Sequence, residues 1–264
     1  PVSIPYLFCY AVSAWWHWEG KSSTVLVRVF ARAIALGADL NPETEVCSVI
    51  PEYVIALETV ARSFQSPSWP EDVLGKIDQD RAKAGEPLYQ QHCAPCHSSE
   101  NVVPLEEIGT DPTREQNFAN LKKGGKGYWE ILQAVGSKIV AVSMKQHQIP
   151  HEDVVRIERD KNPSWKITGG YHTRTLNGIW ASASYLHNGS VPTIWVLLQP
   201  VEKRPADFLV GRALDPKKLG IDANNQPSDG NWRFDVTERG NGNQGHEHGT
   251  ALSDDQKWSL VEYL

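Results

Sequence analysis

The sequence predicts a mainly α fold with long irregular loops. Three features predict it. Apolar residues recur at helical spacing in several segments, Gly, Asn, Asp and Pro crowd the stretch from Gly211 to Thr250, and a Cys93-Ala94-Pro95-Cys96-His97 motif closes one of the helical segments. The 264 residues, 40% hydrophobic and 22% charged, have an ordinary globular profile. At about 150 residues per domain they make one or two domains, long enough to bury a core without disulfide staples. No apolar run approaches the roughly 20 residues that span a bilayer. The net charge of −6, from 26 basic and 32 acidic side chains, argues against nucleic acid as the main partner.

Taken in order, residues 1–20 gather the aromatics Tyr6, Phe8, Tyr10, Trp15, Trp16 and Trp18. Val25 to Leu36 is an apolar stretch carrying Arg28 and Arg32, helix or strand by periodicity alone. Asn41-Pro42 marks a turn. Glu52 to Gln65 places Val54, Leu57, Val60, Ala61 and Phe64 on a helical stripe that ends before Pro67. Ser66-Pro67-Ser68-Trp69-Pro70 reads as a connector and puts a boundary near residue 75, between a Trp-rich helical segment (1–75) and a second domain (76–264). Asp78 to His92 is helical, with Gly85 and Pro87 weakening its middle. Tyr128 to Val142 is helical, and His151 to Asp160 forms a short charged helix. Ser253 with Gln256 fits a capping box that opens a last helix with Trp258, Val261 and Leu264 on one face. The chain opens at Pro1 without a basic or apolar leader and stops inside that apolar pattern, which predicts a processed or partial chain.

Cys93-Ala94-Pro95-Cys96-His97 carries the chemistry. C-x-x-C-H is the attachment signature of c-type haem: two thiols add across two vinyl groups, and the next residue sets an imidazole on the iron. Cys93 and Cys96 are therefore the expected thioether residues and His97 the expected proximal ligand of one covalent haem c. A thioredoxin-like pair prefers to follow a strand and open a helix, whereas this motif follows a helix. A zinc site needs a second Cys/His pair that Cys9 and Cys47 do not form. Haem attachment predicts a periplasmic or extracellular location, where Cys9 and Cys47 form a disulfide or remain two buried thiols.

From the residues alone the sixth iron position stays open. Met144, the only Met in the chain, stands 47 residues after His97, and several His compete with it, His246 and His248 among them. His147 and His151 are spaced i,i+4, but Pro150 breaks any helix that would align them. His246-Glu247-His248 is not H-E-x-x-H, so no zinc protease follows. Lys122 to Gly127 lacks the order of a phosphate loop. Asn188-Gly189-Ser190 matches a glycosylation sequon and is read as coincidence.

Arg174-Thr175-Leu176-Asn177-Gly178-Ile179-Trp180, continuing through Tyr185-Leu186-His187-Asn188-Gly189-Ser190-Val191-Pro192-Thr193, resembles the second-haem domain of bacterial dihaem cytochromes of the cytochrome c peroxidase and MauG superfamily. The closer likeness is to the rubber (latex) oxygenase-like group. Trp16-His17-Trp18-Glu19-Gly20, Asp215-Pro216-Lys217-Lys218-Leu219-Gly220 and Gly245-His246-Glu247-His248-Gly249 agree with it. The resemblance implies a cytochrome c-like helical haem domain in which Gly85 permits close crossing with the terminal helix. It implies His246 as the distal ligand opposite His97. It further implies His187 beside the haem, Arg174 on a propionate, and one of Trp15, Trp16 and Trp18 between two haems; Trp16 is the one singled out. Relatives can hold calcium between domains, a point the sequence leaves open. The chain has no second C-x-x-C-H, Thr175 and Ser184 stand where relatives usually have Pro, and Cys9 to Val12 departs from the usual pattern.

The leading expectation is a six-coordinate electron-transfer centre exchanging electrons with a redox partner protein or a second haem domain, its acidic surface favouring a basic partner. The competing expectation is the C-terminal half of a dihaem peroxidase or dioxygenase whose catalytic haem lies on an N-terminal domain. A haem with a labile distal ligand on a mobile loop and a structural subunit of a larger complex complete the set.

Overall fold

The computed structural model describes residues 8, 13, 15–41, 43, 44, 46–158, 164–223 and 232–264. It is mostly helical, with 44% helix in eleven helices among the described residues. Five of these have ten residues or more: α1 (Val25–Ala35), α2 (Pro51–Ser63), α3 (Gln79–His92), α4 (Tyr128–Gln146) and α5 (Asp254–Tyr263). None of the described helices is long and apolar enough to cross a membrane. The chain forms two compact units, each assembled from separate stretches. One joins Gln65–Arg114 to Thr173–Leu264, and the other joins Tyr10–Phe64 to Glu115–His172.

The first unit is organised by the crossing of α3 and α5. Asp78 caps α3 by accepting from the Arg81 N–H at 3.0 Å, and its own N–H donates to Glu262 at 2.6 Å. Ser253 and Gln256 close a reciprocal capping box at the start of α5. At the crossing, a Cβ on Gly85 would stand 2.0 Å from the Ser259 carbonyl oxygen and 2.9 Å from the Tyr263 Cβ, so only glycine allows this approach. That is why Gly85 interrupts an otherwise ordinary helix, and α3 runs through Pro87 without breaking. Leu260 and Val261 of α5 then reach a core of Ile179, Tyr185, Val191, Ile194, Leu198 and Leu219. Trp258 stacks on Trp195 at 3.8 Å between ring centroids.

Short antiparallel ladders interrupt the stretch read from sequence as mostly loop. Asp207–Val210 pairs with Trp232–Asp235, holding Phe208 and Phe234 stacked at 5.2 Å, and Leu214–Asp215 pairs with Gly220–Ile221. Strands of two to four residues are too short to display alternation, which explains why the sequence reads as loop.

In the second unit α1 packs on α4, again over a glycine: a Cβ on Gly136 would lie 2.1 Å from Val27 Cγ1. The apolar stretch that periodicity left ambiguous is thus a helix. Its N-terminus is held by a distant carboxylate, Glu158, which accepts from Val25 N–H (2.8 Å), Leu26 N–H (2.9 Å) and Thr24 Oγ1 (2.8 Å). Negative charge is favourable at N–H groups that have no partner within the helix, although burial raises the carboxyl pKa against the effect of those bonds. Trp16, Leu26, Phe30, Val54, Ile139 and Met144 belong to the core, and Arg28 pairs with Glu58 at 3.2 Å, both buried. Trp15 to Gly20 runs in turns rather than helix, with Trp16 N–H donating to Ser22 O at 2.8 Å. The stripe on α2 divides: Val54 is buried, whereas Leu57, Val60 and Phe64 are exposed. Cys47 is a buried free thiol; Cys9, the other half of the disulfide considered above, lies outside the described residues.

Candidate haem-binding site

Helix α3 delivers its last turn directly into the Cys93 motif. Cys93 N–H donates to Tyr89 O at 2.9 Å, and the short helix Ala94–His97 follows, His97 N–H returning to Cys93 O at 2.9 Å. Pro95 stands in the first turn, where a missing N–H costs nothing. The helical turn puts Cys93 and Cys96, three residues apart, on one face. Burial and the neighbouring Cys96 push the Cys93 thiol up to about 11. A redox-active dithiol requires the opposite shift, toward thiolate, so the pair is poorly suited to disulfide exchange.

The His97 ring is fixed by one contact. Its Nδ1 lies 2.6 Å from the Arg174 carbonyl oxygen. A carbonyl can only accept, so Nδ1 carries the proton and Nε2 keeps its lone pair, the arrangement a metal-ligating imidazole uses. Burial is the main cause that lowers the His97 pKa, favouring the neutral ring. Arg174 thus enters the site through its backbone carbonyl, a role its sequence position does not reveal.

His246 faces His97 with ring centroids 6.2 Å apart and planes inclined by 52°. That separation is too wide for stacking. It is compatible with a metal ion held between the two rings, since two bonds of about 2.0–2.1 Å plus the reach from each nitrogen to its ring centre come to about 6 Å. Burial, His97 and His248 push the His246 pKa down to about 3, so this ring too is neutral. His248 lies edge-on to His246 at 5.4 Å.

The loop bearing His246 is tightly held. His246 has a φ of 48°, and its N–H donates to Ile108 O at 2.8 Å. Gly245, at φ 72°, passes so close to Gly109 that a Cβ would lie 2.2 Å from its carbonyl carbon. Asn188 Nδ2 donates to the carbonyls of Gly240 (3.1 Å) and Gly242 (2.9 Å), Ser190 Oγ to that of Gly242 (3.1 Å), and Asp111 accepts from Gly242 N–H (3.1 Å). The sequon match is therefore structural: Asn188 is 2% exposed and its amide is engaged. Arg204, nearly fully buried, donates to carbonyls of Leu197, Gln199, Asn243, Gly245 and His246.

The remaining sequence candidates fall as follows. His187 is buried in the turn that Tyr185 and Val191 close, Tyr185 N–H donating to Val191 O at 2.7 Å. Trp16 and Met144 both pack in the core of the second unit, and His147 pairs with Glu52 at 3.2 Å. Arg204 and Asp111 had no signal in the sequence because neither belongs to a motif, and the partners that tie them to the 240–246 loop are backbone groups remote in sequence.

These residues suit a covalent haem. Two thiols share one turn, and two imidazoles stand at a separation compatible with one metal ion between them.

Comparison with known proteins is consistent with this geometry. Residues 170–209 match the family described as RoxA-like, cytochrome c-like. Over that stretch the chain is similar to a RoxA-like, cytochrome c-like domain. The matched stretch includes Arg174, His187 and Arg204; the Cys93 motif lies before it and His246 after it. The chain is 26% identical to the uncharacterized protein y4iJ of Sinorhizobium fredii, covering 100% of this chain and 54% of that protein. It is 28% identical to the uncharacterized protein y4iM of the same organism over 71% of this chain and 46% of that protein. The chain thus spans about half the length of the curated relatives it matches.

Proposed function

We propose that this RoxA-like, cytochrome c-like chain is a c-type cytochrome holding one covalent haem and serving as a six-coordinate electron-transfer centre. Cys93 and Cys96 would hold the haem covalently through their sulfurs, and His97 and His246 would bind its iron through ring nitrogens. Bound there, the haem supplies a one-electron iron couple, and two imidazole ligands favour electron transfer over binding of a substrate. The observation that carries this reading is the 6.2 Å opposition of the His97 and His246 rings. The Arg174 carbonyl keeps the His97 proton on Nδ1, and the hydrogen bonds on the 240–246 loop hold His246 in place. This anchoring argues against a mobile, readily displaced distal ligand. In this reading His187 and the Arg174 guanidinium serve the haem edge and propionates, Trp16 lies on a route toward a second redox centre, and the protein works in the periplasm or outside the cell.

His246→Ala is expected to convert a low-spin ferric EPR signal to a high-spin one while covalent attachment survives. An unchanged low-spin signal would remove His246 from the iron and turn attention to His248 or Met144.

The half-length coverage of both relatives favours one second reading, in which the chain is the C-terminal part of a dihaem peroxidase or dioxygenase of the rubber oxygenase-like group. EPR of the ferric protein from its native source separates the two. One low-spin signal per chain supports the electron-transfer centre, and an additional high-spin signal supports the enzyme.

A further inference from the structure

We infer that Arg204 is a positioning residue whose hydrogen bonds keep His246 seated and the sixth coordination position closed to small ligands. The inference rests on the bis-His reading above and extends it to a residue no motif singles out. The Arg204 side chain is almost entirely buried, at 6% exposure. Its Nε donates to Gln199 O at 3.1 Å and its Nη2 to Leu197 O at 3.1 Å, fixing the guanidinium on the turn after Ile194–Leu197. Its Nη1 donates to Asn243 O and, at 2.8 Å, to Gly245 O, and Nη2 also reaches His246 O at 3.4 Å. One planar fork thus ties the distal loop to a helical turn, with backbone carbonyls as the acceptors throughout.

Two physical consequences follow. Burying a guanidinium is costly unless its donors are satisfied, so the charge and the loop conformation depend on each other. His246 has a positive φ and Gly245 is wedged against Gly109; a non-glycine residue holds such a backbone only when its surroundings enforce it. Arg204 and the His246 N–H bond to Ile108 O are the enforcing contacts on either side of the ligand. Lysine cannot replace the fork, since its three donors radiate from one point.

The test uses the haem-loaded full chain and carbon monoxide as the probe. Wild type, R204K, R204Q and H246A are reduced and mixed with carbon monoxide, and the rate at which it occupies the iron is followed by absorbance, with melting curves alongside. Wild type should bind slowly, H246A fast, and R204Q faster than wild type by about tenfold or more, the factor carried by losing one charge-assisted hydrogen bond. R204K should fall between wild type and R204Q. If R204Q lowers the melting temperature but binds carbon monoxide as slowly as wild type, the inference is overturned and Arg204 is structural only. Should R204Q fail to fold, R204K decides: binding at the wild-type rate overturns the inference. If H246A itself binds like wild type, the bis-His reading fails first, a result recognisable without any Arg204 variant.

Discussion

Gly85→Val is expected to lower the melting temperature of the haem-loaded protein by about 10 °C, from a loss of about 3 kcal/mol. Two effects oppose each other. Alanine is a better helix former than glycine by up to about 1 kcal/mol, and valine by less. Against that, the added Cβ would meet the Ser259 carbonyl oxygen at 2.0 Å and its carbon at 2.6 Å. The nearest obstacle is backbone, so no rotamer change relieves it, and α3 and α5 must separate by about an ångström, forfeiting contacts along the whole crossing. The clash wins. Leu260 and Val261 sit on the far side of the same helix in the core, so the displacement would propagate inward. Calorimetry showing an unchanged or higher melting temperature would refute this account of the crossing.

The second large effect belongs to the thiols. Cys93→Ala/Cys96→Ala should abolish haem that survives denaturation, seen as loss of haem staining on a denaturing gel, whereas His246→Ala should keep it. The double variant should also melt well below the loaded protein, by about 4 kcal/mol if the lost group acts like a ligand present at about a thousandfold its Kd. The thiols themselves account for little of that, since each replacement removes a single sulfur atom from a half-buried position. Retained staining in the double variant would contradict the assignment of the thioethers, and equal melting of the two forms would contradict a cofactor that supports the fold.

Much of this architecture was legible because the decisive patterns are local. The Cys93 motif, the Ser253–Gln256 box and the helical patterns of α2 and α4 each fit within a few turns of chain, whereas α1 stayed open between helix and strand. Gly85 read from the residues only as a weak point of its helix, and its place at a helix crossing was what the family resemblance implied. Other features were not. The short ladder that aligns Phe208 with Phe234 has no periodic signature. On α2, Leu57, Val60 and Phe64 share the stripe of Val54 yet remain exposed, because periodicity reports a face and not what covers it. The contact of the Arg174 carbonyl with the His97 ring was not legible either, because a backbone group leaves no mark in the sequence.

By itself, then, the sequence determined the chemistry that depends on neighbouring residues: two thiols and an imidazole on one turn, and helices that start and stop at particular caps. The tertiary structure alone decided which stretches assemble into each unit, joining Gln65–Arg114 to Thr173–Leu264, and how far His246 stands from His97. It also decided that Arg204, 42 residues before His246, should hold the loop between them in sequence. The physical reason is the nature of the partners. Spacing along a chain fixes contacts within a helical turn, whereas backbone carbonyls are the same on every residue, and a side chain that binds them leaves no mark on the residues it holds.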